Sequence, residues 1–133
     1  MKICIPSQNK KEDALLDSRF GRCPFFAIVD TDNPDDISFI ENTGVRANRG
    51  AGISAAQLIV DNDVDAVVVV NLGPKAYNVL SSANVDCFQS TEKTITEVVN
   101  DLKEGKLEKM TSSAPGGFGM GLGLGRQNRQ RRG

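Results

Sequence analysis

The run Ala66-Val67-Val68-Val69-Val70 constrains the fold more than any other stretch of this chain. Small and β-branched residues in unbroken succession make a strand with no polar face, and such a strand is stable only where the sheet is covered on both sides. What flanks the run agrees. Upstream, between Ala51 and Asn62, the residues Ile53, Ala56, Ile59 and Val60 fall at helical spacing, with glycines at 50 and 52 where that helix would begin. Downstream, Asn71-Leu72-Gly73-Pro74 leads into a second helix. Pro74 suits its first position, Ala76, Val79, Leu80 and Ala83 form one face, and Asn84 ends it. Helix, strand and helix in that order imply right-handed crossovers and a parallel sheet.

The remaining elements fit round this centre. Ile3-Cys4-Ile5 reads as a buried first strand ended by Pro6, followed by a polar surface loop from Ser7 to Ser18 anchored only by Ala14-Leu15-Leu16. Phe25 to Val29 and Ile37 to Ile40 are strands joined by a turn containing Asn33-Pro34, a connection short enough to make an antiparallel hairpin. Val85 to Phe88 is a last strand, Thr94-Ile95-Thr96-Glu97 a capping box, and Gly105 the stop of the third helix. The expected architecture is a three-layer α/β/α sandwich with an antiparallel hairpin in an otherwise parallel sheet.

Composition narrows the chemistry. The 133 residues suit one domain, no apolar run approaches the roughly 20 residues that span a bilayer, and the start turns polar after Pro6, so a cytoplasmic protein without a membrane partner is expected. Histidine is absent, which excludes Ser-His-Asp and Cys-His catalysis and any histidine-ligated metal within the chain. Cys4, Cys23 and Cys87 are odd in number and widely spaced, so neither a disulfide framework nor a Cys-x-x-Cys zinc site is expected. Through Ser113 the chain carries 12 basic and 17 acidic residues, a balance of -5, whereas the remainder is +4. An acidic body is not the footprint of a nucleic-acid-binding domain. From residue 111 to 133 a Gly/Arg-rich end follows the domain of residues 1–110. It alternates glycine with Phe118, Met120, Leu122 and Leu124 and then supplies Arg126, Arg129, Arg131 and Arg132. A flexible, solubilising tail is the expectation, a lid over a ligand or a basic contact with a partner its alternatives.

Three segments, Arg19-Phe20-Gly21-Arg22-Cys23-Pro24 through Asp30, Arg49-Gly50-Ala51-Gly52-Ile53, and Asn71-Leu72-Gly73-Pro74-Lys75-Ala76, together resemble the dinitrogenase iron-molybdenum cofactor biosynthesis family, also called nitrogenase accessory factors, over residues 1 to about 110. The resemblance implies a ribonuclease H-like motif with a mixed five-stranded sheet in the order 3-2-1-4-5, strand 2 antiparallel. It implies as cargo an iron-sulfur or molybdenum-containing cluster, which family members carry to partner proteins. Members that work with nitrogenase often have His-Phe-Gly-Arg where this chain has Arg19-Phe20-Gly21-Arg22, and the arginine form resembles the branch found in archaea and anaerobic bacteria.

Independently of that likeness, ligands of open α/β sheets sit beyond the carboxyl ends of the strands, where connections diverge. The three segments should meet there. Helix N-termini with unpaired amides, together with Arg19, Arg22 and Arg49, would make an anion site for a metal-sulfur cluster or small oxyanion. The cofactor-binding candidates are therefore Arg19, Phe20, Gly21, Arg22, Arg49, Gly50, Gly52, Asn71 and Gly73. Each has a plainer reading: Gly50 and Gly52 as helix packing, Gly73 as a turn, the arginines as surface ion pairs, and Phe20 as a packing residue. Cys23, beside arginines on a loop, is the thiol expected to ionise and ligate a soft metal, whereas Cys4 and Cys87 lie in strands as small core residues. A first strand without a carboxylate argues against a two-metal nuclease. The function expected is a non-catalytic carrier; the alternative is a regulatory or interaction module that takes a phosphorylated metabolite, nucleotide or peptide in the same crevice.

Overall fold

The structure is a computed structural model in which residues 1–43 and 50–111 are described. Arg49 and the stretch after residue 111 lie outside them. In chain order the elements are β1 (Lys2–Ser7), β2 (Phe25–Asp30), β3 (Asn33–Glu41), α1 (Ala51–Asp61), β4 (Ala66–Val69), α2 (Pro74–Ser82), β5 (Asp86–Gln89), α3 (Ile95–Lys103) and β6 (Glu108–Lys109). They form one sheet ordered β3-β2-β1-β4-β5-β6, in which β1, β4 and β5 are parallel neighbours and β2 is antiparallel to β1 and β3.

The sheet has six strands where five were expected. The extra one, β6, is antiparallel to β5 and spans only two residues, too short for any alternation to show in the sequence. Pro6 also does not end β1. The strand continues to Ser7 opposite Phe25, because β1 pairs with β4 only at Ile3 and Cys4, and beyond them the edge facing β4 needs no donor from position 6. Instead the Pro6 carbonyl accepts a hydrogen bond from the Asp17 amide at 2.9 Å.

Every residue of β4 is buried, and the alternation of its side chains explains why. Val67 and Val69 enter one core with Ala55, Ala56 and Ile59 of α1 and Ala76 and Leu80 of α2, whereas Ala66 and Val68 enter a second with Ile95, Val98 and Val99 of α3. The helices α1 and α2 thus share one face and α3 covers the other. Cys4 and Cys87 point into the α1/α2 core as small apolar residues. At α3 the capping box forms as read: the Thr94 hydroxyl accepts from the Glu97 amide at 3.2 Å, and the Glu97 carboxylate accepts from the Thr94 amide at 3.0 Å. Gly105, at φ 72°, takes the left-handed turn after the helix.

The connection after β1 decides where a crevice can open. It runs first along the α3 side, where Ala14 and Leu16 are buried in that core and Leu15 bridges Thr94. It then crosses to the α1/α2 side, where Phe20 and Cys23 are buried. The connection after β4 goes straight to α2, so the chain diverges beyond the ends of β1 and β4 as expected for a ligand crevice.

Candidate functional site

A crevice of about 550 Å³ lies at this divergence. Its walls come from residues 18 and 20–22 of the loop before β2, residues 50–53 at the start of α1, and residues 71–76 across the start of α2. The segments singled out from the sequence therefore meet at one rim, with Phe20, Gly21, Arg22, Gly50, Gly52, Asn71 and Gly73 among its lining. Arg49 lies outside the described residues, and the structure gives it no position.

Close backbone contact holds two of the walls together. A Cβ built on Gly21 would lie 2.7 Å from the Gly52 nitrogen and 3.0 Å from the Ala51 carbonyl carbon, so only glycine lets the loop rest on the first turn of α1. Gly50, the residue before the helix, has φ 76°, a left-handed conformation that favours glycine. Phe20 is 6% exposed and packs on Phe26 at 5.8 Å between ring centroids, which pins the loop from below.

The ends of the helices differ in a way that bears on ligands. Neither α1 nor α2 has a side-chain cap or an acidic residue in its first turn, whereas α3, which faces away, has a full capping box with Glu97. First-turn amides have no partner within their own helix and carry partial positive charge. Among the described residues no carboxylate lines the crevice, whereas the cations Arg22 and Lys75 do. Lys75 escaped the sequence reading although it follows Pro74; the signal was its place in the first turn of a helix expected to point at the site.

Arg19 does not line the crevice. Its guanidinium bonds the buried Asp17 carboxylate through Nη2 at 2.7 Å and Nε at 3.0 Å, and its amide reaches the same carboxylate at 2.8 Å. Burial pushes the Asp17 carboxyl up, but these Arg19 contacts outweigh it and hold the group below its ordinary value. The plainer reading of this arginine is the one its geometry matches.

The expectation for Cys23 needs a correction. Its thiol is fully buried, not displayed between arginines, and Sγ donates to the Phe20 carbonyl at 3.3 Å. Burial, reinforced by the Asp17 charge, pushes the thiol up to about 12, so at neutral pH it is protonated. The sequence placed it on a loop, but that loop folds inward behind Phe20. Among the described residues there is also no group of three or more Cys, Asp or Glu side chains able to hold a metal ion.

Asn42 was missed altogether. It is completely buried, and Nδ2 donates to the carbonyls of Cys23 at 2.8 Å and Gly21 at 3.2 Å, while its amide donates to the Pro24 carbonyl at 2.9 Å. One side chain thus ties the 20–24 loop to the end of β3. A lone asparagine after a strand looks like any turn residue, so no pattern announced it.

Comparison with known proteins agrees with this fold. The family model described as dinitrogenase iron-molybdenum cofactor matches residues 1–105. An uncharacterized protein of Methanocaldococcus jannaschii is 38% identical over 111 residues, covering 82% of this chain and 91% of its own length. The apo form of the orange protein from Desulfovibrio gigas has a TM-score of 0.81 at 26% identity, covering 85% of this chain and 95% of that one. A Thermotoga protein described as a putative NifB protein belonging to the DUF35 family has a TM-score of 0.73 at 28% identity, covering 87% of this chain and 98% of that one.

Proposed function

The chain belongs to the dinitrogenase iron-molybdenum cofactor family, and on that premise we propose that it is a carrier rather than an enzyme. It holds an anionic metal-sulfur cluster, iron-molybdenum cofactor-like or another iron or molybdenum cluster, or an oxyanion, between the starts of α1 and α2, and hands it to a partner protein in the cytoplasm. The observation that carries this reading is the meeting of two helix N-termini without side-chain caps at a crevice whose described lining includes Arg22 and Lys75 and no carboxylate. The relative described in its apo form, at 26% identity, is by that word a protein that binds a separable group, which is in keeping with a binding role.

How the cargo is held follows from the donors present. Among the described residues the lining offers no thiol, imidazole or carboxylate to enter a metal's coordination sphere. A cluster complete in its own ligands is therefore held by amide, guanidinium and ammonium contacts, and release requires no metal-ligand bond to break. Among the described residues the lining has one hydroxyl, Ser18, and the carboxylate next to it in the chain, Asp17, is engaged by the Arg19 guanidinium, which supports carriage over catalysis.

The test is anaerobic incubation of the purified protein with iron, molybdate and sulfide, followed by gel filtration, elemental analysis and absorption spectra. Coloured, metal-bearing protein is expected. Arg22→Ala and Lys75→Ala should each weaken retention by about tenfold, the equivalent of one charge-assisted contact of about 1.4 kcal/mol. Retention of no metal or cluster under any of these conditions would defeat the proposal. Thermal stabilisation by nucleotides or sugar phosphates alone would favour the regulatory alternative instead.

A further inference from the structure

The two edges of the sheet differ. At one, β6 spans only two residues, too short to template another strand. At the other, β3 runs for nine residues with β2 on one side and, among the described residues, no strand on its outer side. The second half of β3 is regular: Ile37, Ser38, Phe39, Ile40 and Glu41 face Val29, Ile28, Ala27, Phe26 and Phe25 in turn, a stretch of about 17 Å. Its side chains belong to both cores and are covered by neither. Ile40 packs against the α1/α2 core, Ile37 and Phe39 pack against the α3 core, and all three remain half-buried. A strand added here would cover apolar surface on both faces of the sheet as well as pair with its edge.

The first half of β3 selects which strand that is. Asp30 faces Asn33 but Val29 faces Ile37, so Pro34, Asp35 and Asp36 fall outside the pairing. A bulge, a proline and charges are the devices by which sheets discourage unwanted pairing, and here they guard one end only. Met1 places its amino group 3.5 Å from Asp30 and 3.9 Å from Asp32, whereas Asp35 and Asp36 are exposed and have no ion pair among the described residues. A second copy paired antiparallel about Ser38 would set Glu41 against Asp35 at both ends of the ladder, and a slip of one residue would set it against Asp36. Like charges opposed across strands destabilise such a pair. A strand carrying lysine or arginine at that end gains where the second copy loses.

The edge also leads to the crevice. Because β1 and β3 are both antiparallel to β2, β3 ends on the side of the sheet where the crevice opens. The next residue, Asn42, holds the loop bearing Arg22 through the Gly21 and Cys23 carbonyls. We propose that β3 is the docking edge for the protein that exchanges cargo with this one: an extended apolar segment of that partner lies antiparallel along residues 37–41, with basic side chains at its C-terminal end against Asp35 and Asp36. What is exchanged rests on the carrier reading above; the docking rests on the edge.

The probe is a short acetylated and amidated peptide of alternating valine and threonine ending in a lysine pair, titrated into the isotope-labelled full-length protein. The amide resonances of residues 37–41 should move. N-methylation of alternate peptide residues should abolish binding in one phase and leave it in the other, since only one set of amides faces β3. Asp35→Lys/Asp36→Lys, at two exposed positions, should weaken the lysine peptide about fivefold and tighten a glutamate-ended one, the effect of two surface ion pairs. No binding, equal binding of both methylated phases, or indifference to the charge reversal overturns the proposal. So does a dimer of the protein alone that Phe39→Lys dissociates, which would assign the edge to a second copy. Anaerobic dialysis with tetrathiomolybdate separates the two readings: peptide bound without retained thiomolybdate defeats the carrier, whereas thiomolybdate retained without peptide binding defeats only the docking edge.

Discussion

Asn42 carries more of the site than its sequence context suggests. It satisfies two carbonyls of the 20–24 loop from a fully buried position, and a buried carbonyl left without a donor costs about 1–3 kcal/mol. Asn42→Ala is therefore expected to lower the unfolding free energy by that amount, read as a lower denaturant midpoint at constant slope, and to weaken anion retention, because the loop bearing Arg22 loses its tie. Cys23 gives a second prediction of the opposite kind. Its thiol is buried and pushed up to about 12, so alkylation by iodoacetamide at pH 8 should be slower by several orders of magnitude than for a free cysteine of ordinary pKa near 8.5, until denaturant is added. Rapid modification of the folded protein would contradict the placement. These two residues also mark what the sequence could and could not say. That Cys4 and Cys87 are core was legible from their strands. Asn42 and Cys23 act through contacts with residues about 20 positions away, and no local pattern encodes those.

Among the elements, the loop and the start of α1 depend on Gly21. Any side chain there meets backbone atoms of Ala51 and Gly52, which cannot rotate away. Gly21→Ala should cost about 1–3 kcal/mol, as overpacking does, and should lower anion retention beyond that loss, since the loop must lift from the helix. Measuring both midpoint and retention distinguishes this from simple destabilisation. The helices themselves were legible because their start signals are local: Gly50 before α1, Pro74 at the first position of α2, and Thr94 with Glu97 at α3. Ile53 shares the helical spacing of the buried residues of α1 yet is exposed, because spacing assigns a residue to a face without saying where that face ends. At the first turn, the face that continues into the core opens onto the crevice. The strand β6 was missed for the simpler reason that two residues carry no periodicity.

For the whole molecule, burial of three thiols predicts a pH dependence. Burial raises Cys4 well above its ordinary value, helped by Cys23, and takes Cys23 and Cys87 to about 12, helped by Asp17 and Asp86 respectively. Because the unfolded chain loses these protons first, near pH 8.5, their contribution is complete below that pH and diminishes as pH rises from there towards 12. Asp17 acts in the opposite direction: held low by Arg19, it contributes above the ordinary carboxylate value of about 4 and loses that contribution as pH falls below it. Denaturation midpoints followed over pH should show the alkaline decline, and substituting the cysteines with alanine should flatten it. The two covered faces and the shared rim were legible from strand and helix patterning together with the central β-branched run, whereas the order of the first five strands came from the family resemblance. The central claim, however, concerns what that rim holds. Its most direct test is titration of the anaerobic wild-type and Arg22→Ala/Lys75→Ala proteins with tetrathiomolybdate, followed by absorption after dialysis. Stoichiometric retention by the wild type, weakened at least about tenfold in the double variant, is the predicted result; equal retention by both, or none by the wild type, would contradict it.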